Sequence, residues 1–255
     1  IDLRNDNDRS KKDGKALINE DHPQVIEIWN IVFIQYNRNA DKSLVNLPET
    51  HVDTGMGLER LAMALQGKQS NYDIDLFQSI IKKIESLSGI QYGKSEETDI
   101  ALRVIADHIR AISFSIADGQ IPSNTGAGYV IRRILRRAVR YAYQTLDLKE
   151  PFMGELVPVL SQQMSVAYPE LKSQSVIIKK VITEEEQSFH RTLAQGIKRM
   201  DQLIKKCAAK NECSIQGEDV FELYDTYGFP LDLTSLIARE NKLSIDEKGF
   251  NKALN

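Results

Sequence analysis

From about Asp75 to Lys210 apolar residues recur at helical spacing with few breaks. The pattern runs through "DLFQSIIKKIESLSG", "ETDIALRVIADHIRAISFSIADG", "GYVIRRILRRAVRYAYQTL", "FMGELVPVLSQQMSVA" and a long run from Ser175 to Lys210. Glycine or proline punctuates most of these segments. No fixed-period repeat accompanies the pattern, so a solenoid is not expected. The larger part of the chain therefore has to bury its apolar faces helix against helix.

The first 70 or so residues read differently. "PQVIEIWNIVFIQYNR" (23–38) is dense in β-branched and aromatic residues and predicts a central strand of a sheet, with Glu27, Asn30 and Gln35 as polar interruptions. "NADKS" supplies a turn, "SLVNLPETHVD" predicts one or two short extended pieces broken at Pro48, and "GLERLAMALQG" predicts a helix ending at Gly67. An antiparallel hairpin is expected, and the fold class is α+β. The polar stretch "GKQSNYDID" places the boundary between a mixed domain, 1–74, and a helical domain, 75–255.

The 255 residues carry 33 basic and 36 acidic side chains, a balance that neither demands nor excludes a polyanionic partner. Local clusters must decide. Cys207 and Cys213 stand without a His/Cys cluster, so a disulfide framework or zinc site is not expected, and reduced thiols in a cytoplasmic protein are. No apolar run approaches the roughly 18 residues of a membrane span. A start on Ile-Asp-Leu-Arg, as if inside a strand, reads as a piece of a longer protein. His51, Asp107 with His108, and His190 lack metal-like spacing, and tyrosines at helical spacing, such as Tyr141 and Tyr143, are expected in the core.

Two stretches carry candidate chemistry. In "HVDTGMGLER" (51–60), Gly55 and Gly57 would let a ligand approach the backbone, a helix start would offer free N–H groups, and Arg60 could grip a phosphate. Spacing alone favours a plain helix-start turn over a phosphate site, because the further residues of a phosphate-loop fingerprint are missing. Upstream, a carboxylate at Glu27 would suit magnesium carried on a nucleotide, which takes few carboxylate oxygens besides phosphates.

The second stretch, "VIRRILRRAVRYA" (130–142), holds five arginines and no acid. Ile131, Ile134, Leu135, Ala138 and Ala142 form a core stripe, leaving Arg132, Arg133, Arg136, Arg137 and Arg140 around the remaining surface. Any one of these can pair with an acidic helix, but all five are not expected to. A cationic face preceded by "PSNTGAG" would suit a phosphate backbone, with an asparagine beside it for a base edge.

These stretches, together with "EIWNIVFIQYNR", "RVIADHIRAISFSIADGQIPSNTGAGYVIRRILRRAVRYAY" and "LYDTYGFPLDLT", closely resemble the alanyl-tRNA synthetases, a family of class II aminoacyl-tRNA synthetases, over essentially the whole chain. The resemblance implies an antiparallel-sheet piece with motif 3 at "GMGLER", followed by a helical reader of the tRNA acceptor stem. It implies that Arg60 grips the terminal phosphates of ATP, that Gly55 and Gly57 let adenosine lie against backbone, and that Asp53 binds the ammonium group of alanine. Asp53 and Arg60 are thus the implied catalytic residues. Glu27 and Asn30 match positions lining the ATP, magnesium and alanine pocket. Asn124 and Asp225 match the readers of the G·U pair of alanine tRNA, although alone they read as turn and cap residues. Motifs 1 and 2 are not found upstream of Glu27, so alanine activation by this chain alone is not expected. The family's zinc-bearing editing domain is expected beyond residue 255. An RNA-binding module whose ATP-site piece is only structural is the competing reading.

Overall fold

The computed structural model describes residues 1–210 and 213–254 and divides the chain into two compact units, Ile1–Gln78 and Ser79–Asn255. The division falls within one helix, α3 (Asp75–Ser88).

In the first unit a short helix, α1 (Asp6–Lys11), precedes a hairpin of β1 (Trp29–Arg38) and β2 (Leu44–Met56), which leads into α2 (Leu58–Leu65). Asn5 caps α1 by accepting from the Asp8 N–H, and Arg4 is buried against Asp2 at 2.7 Å while also donating to the carbonyls of Asp8 and Lys12. That many donors on one guanidinium need that many acceptors once it leaves water. The hairpin closes through the Asn39 N–H on the Ser43 carbonyl, with Lys42 at positive φ, as the turn residues predict. α2 ends at Leu65 with Gln66 as its C-cap, and Gly67 follows with φ +63°, the left-handed position at which glycine stops a helix.

Two expectations change here. Among the described residues β1 pairs with β2 alone and is not a central strand; Trp29, Ile31 and Phe33 are exposed, Phe33 at 80%. β-branched and aromatic density records a strand's fitness for burial, not which element covers it. β2 also runs as one strand through Pro48. The register passes from Ile34↔His51 to Tyr36↔Asn46, so Pro48 sits in an irregular stretch of the ladder, where a missing N–H leaves no bond unmade.

The second unit is helical: α4 (Glu96–Ala117), α5 (Gly126–Thr145), α6 (Val157–Met164), α7 (Pro169–Ser173), the 36-residue α8 (Ser175–Lys210), α9 (Gly217–Asp225), α10 (Leu231–Glu240) and α11 (Glu247–Leu254). Two-residue strands β3 (Ser214–Ile215) and β4 (Ser244–Ile245) pair in parallel. α4 packs along α5, and α5 along α8. The core joins Leu102, Ile105 and Ile109 of α4, Leu135 and Ala138 of α5, and Ile182, Phe189 and Leu193 of α8, all buried. This is the 3.6-residue stripe of each helix turned inward. Glu186 of α8, fully buried, accepts from the N–H groups of Phe152 and Met153 at 3.1 and 3.0 Å and so caps the short 3-10 helix Met153–Leu156. Its burial pushes the carboxyl up to about 7.

Candidate functional site

In the first unit the hairpin register decides which polar groups share a face. Cross-strand partners point to the same side and alternate along the strand. Asn30 pairs with Gly55 and Val32 with Asp53, so Asn30, Asp53 and Gly55 lie on one face, while Trp29, Ile31, Thr54 and Met56 lie on the other. Thr54 ties that opposite face together, accepting from the Trp29 indole and donating to the Asn30 carbonyl. Asn30, Asp53 and Gly55 are all exposed.

Arg60 stands in the first turn of α2, and its guanidinium donates to the backbone carbonyl of Glu27 at 2.8 Å. The Gly57 N–H donates to the carbonyl of Ile28, which fixes the start of α2 against the start of β1. Glu27 itself precedes β1 and is exposed. Neither Gly55 nor Gly57 has positive φ, and a Cβ on Gly55 would meet nothing within 4 Å. Nothing in the chain's own backbone thus requires glycine at 55. Among the described residues no three His, Cys, Asp or Glu side chains gather as a metal cluster.

In the second unit the arginine-rich stretch forms α5, and its five arginines are all ion-paired. Arg132 and Arg136 meet Glu185 of α8 at 2.8 and 2.6 Å, Arg133 and Arg137 meet Asp232 of α10 at 3.5 and 2.7 Å, and Arg140 meets Glu240 at 2.6 Å. The expectation that some of the five lack an acid is therefore not met. The acids lie far along the chain, and only the packing of α8 and α10 against α5 brings them in. Arg136 and Arg140 are buried, with Arg136 also lying over the Phe189 ring at 4.9 Å. Burial pulls the Arg136 guanidinium below its ordinary value, and the Glu185 carboxylate pushes the other way.

Beside this helix lies a cleft of about 380 Å³ whose lining includes Asn124, Arg132, Arg136, Ser188, Tyr224 and Asp225. Asn124 comes from the loop before α5 and Asp225 from the last residue of α9, so the fold places both sequence-predicted polar residues on one concavity. Both are exposed. The Asn124 side-chain oxygen accepts from Arg132, whereas the Asp225 carboxylate has no partner among the described residues. The loop is held tightly: a Cβ on Gly128 would fall 2.3 Å from the Ile121 carbonyl oxygen, so only glycine lets the chain fold back there. Gly228, three residues beyond Asp225, has φ +69° and gives its carbonyl to Arg136.

Several lining or supporting groups were not foreseen. Glu185 lies in the acidic run "TEEEQ", a signal visible in sequence, although nothing there says which acid faces α5. Ser188, Thr192 and Tyr129 carry no sequence mark at all.

Compared with known proteins, the chain matches the family "tRNA synthetases class II (A)" over residues 1–255. It is 59% identical over 254 residues to an alanine-tRNA ligase of Christiangramia forsetii, covering 100% of this chain and 29% of that protein. It is 61% identical over 251 residues to an alanine-tRNA ligase of Cytophaga hutchinsonii, and 57% identical over 251 residues to one of Porphyromonas gingivalis, in each case covering 98% of this chain and 29% of the relative. The chain thus spans about 29% of the length of the curated relatives it matches.

Proposed function

The chain belongs to the class II tRNA synthetase (A) family, and on that premise we propose that it is part of an alanine-tRNA ligase, holding a piece of the ATP and alanine site in residues 1–74 and an acceptor-stem reader in 75–255. The observation that carries the reading is the cleft on which Asn124 and Asp225 stand together. A G·U wobble pair leaves the guanine amino group unpaired in the wide, shallow minor groove of A-form RNA. An ionised aspartate can only accept there, and an asparagine can donate. Asp225, free of partners among the described residues, has its acceptors available.

The arginine helix acts mainly as framework in this reading. Its five charges are answered by Glu185, Asp232 and Glu240, so three carboxylates neutralise three of five cations and the face keeps a modest positive surplus for a phosphate backbone.

For the first unit, the shared face of Asn30, Asp53 and Gly55 supports the amino-acid and nucleotide roles. Asp53 would hold the ammonium group of alanine. Gly55, a glycine the chain itself does not require, would admit the nucleotide against bare backbone. Arg60 would answer the charge of the terminal phosphates, leaving its contact to the Glu27 carbonyl or sharing it. Glu27, exposed at the foot of β1, fits a magnesium ion that takes one protein carboxylate and otherwise phosphate oxygens. When bound, that ion would supply charge neutralisation on ATP. What the residues contribute is position: the alanine carboxylate must lie in line with the α-phosphorus. A second cation is needed at the α-phosphate, which the family takes from motif 2, so this chain alone is expected not to activate alanine.

The test is binding of the purified chain to acceptor-stem hairpins carrying G·U or G·C across a salt series. A preference for G·U that disappears in Asp225→Ala supports the reading; equal binding of both hairpins removes it.

A further inference from the structure

We propose that Arg132, itself held by Glu185, is a positioning residue that decides which end of the Asn124 side chain faces the cleft. The proposal rests on the reading of Asn124 as a base-edge contact and adds the group that makes its polarity definite. A carboxamide is ambiguous: one end accepts, the other donates, and the two differ little in shape. A guanidinium is not ambiguous, because it carries donors only. Arg132 bonds the Asn124 side chain, so the oxygen must turn toward Arg132 and the NH₂ group away from it.

Among the described residues no other side-chain hydrogen bond involves Asn124, which is exposed on its loop, so it is Arg132 that removes the ambiguity. The cleft then presents a donor from Asn124 and acceptors from Asp225. Such a pair complements a minor-groove edge with an amino donor beside ring-nitrogen and carbonyl acceptors.

Glu185 supports both walls. The same Oε1 atom accepts from Nε of Arg132 at 2.8 Å and from Nε and Nη2 of Arg136 at 2.8 and 2.6 Å. Arg132 goes on to Asn124, and Arg136 goes on to the carbonyl of Gly228 beyond Asp225. One carboxylate thereby holds the two arginines that reach the two reading segments.

The experiment is a double-mutant cycle on the ratio of G·U to G·C hairpin affinities. Arg132→Gln lets residue 132 accept as well as donate, and it is expected to reduce the ratio about as much as Asn124→Ala does, of the order of tenfold for one polar contact. The double variant should lose no more than either single one, and Arg132→Lys, again donor-only, should keep most of the preference. Effects that multiply in the double variant, or full preference in Arg132→Gln beside its loss in Asn124→Ala, overturn the relay while leaving Asn124 as a reader. Full preference in Asn124→Ala removes the reading of Asn124 and the relay with it. If Arg132→Gln fails to fold by circular dichroism, Arg132→Met takes its place in the cycle: it removes the guanidinium that bonds Asn124, so a reduced ratio that the double variant does not reduce further supports the relay, and full preference overturns it.

Discussion

Arg136 and Glu185 meet at 2.6 Å on facing helices, both about nine-tenths withdrawn from water, and the arginine's remaining reach is taken by the Gly228 carbonyl. A buried ion pair adds little net stability over a well-packed apolar pair, but breaking it strands a charge. The pair therefore acts as a latch between α5, α8 and the turn after α9.

Glu185→Ala should lower unfolding stability by about 3 to 5 kcal/mol, because it leaves Arg136 buried without its carboxylate. Urea denaturation of the two proteins measures the difference. A loss below about 1 kcal/mol would show that water or a neighbouring acid replaces Glu185.

Gly228→Ala should destabilise by roughly 2 to 3 kcal/mol, joining positive-φ strain to a displaced guanidinium. Its Cβ would stand 2.4 Å from Nη1 of Arg136. Thermal melts would read the loss, and combining the change with Arg136→Met should recover the part due to the clash.

Glu186 predicts a pH dependence of definite sign. Its folded value of about 7 lies above the ordinary 4.5, so between those values the folded state keeps a proton that the unfolded chain has released. Its contribution is fully present below 4.5, falls as pH rises, and is lost above 7, by roughly 3 kcal/mol in all. Burial lowers His190, 4.0 Å away, which works in the opposite direction on acidification. The stability difference between Glu186→Gln and the unaltered chain isolates the carboxyl: it should grow in favour of glutamine from pH 5 to 8, and a flat difference would refute the assignment.

RNA binding should show a shallow salt dependence. With each arginine of α5 already facing a carboxylate, the slope of log Kobs against log[salt] should correspond to fewer than about five phosphate contacts. A steeper slope would mean that RNA displaces Asp232 or Glu240 from their arginines.

In a longer chain that contains motifs 1 and 2, Arg60→Ala should reduce alanine-dependent ATP-pyrophosphate exchange at least 100-fold, on the order expected for losing a charged transition-state contact. Unchanged exchange would place the terminal phosphates elsewhere.

Much was legible before any coordinates. The period of the apolar residues gave α4, α5 and α8, with α8 starting at Ser175 as the pattern predicts, and the turn chemistry at 39–43 gave the hairpin. These are local properties, set by side-chain spacing and backbone preference within one turn or one loop. Sequence resemblance likewise identified the family. What lay beyond sequence was every relation between distant segments. The strand register put Asn30, Asp53 and Gly55 on one face. Helix packing gave each arginine of α5 its acid, although five pairings were not expected of a stretch that holds no acid itself. It also brought Asn124 and Asp225 to one cleft. A charge chooses its partner by distance in three dimensions, and that distance is fixed only when the apolar stripes of the helices have packed.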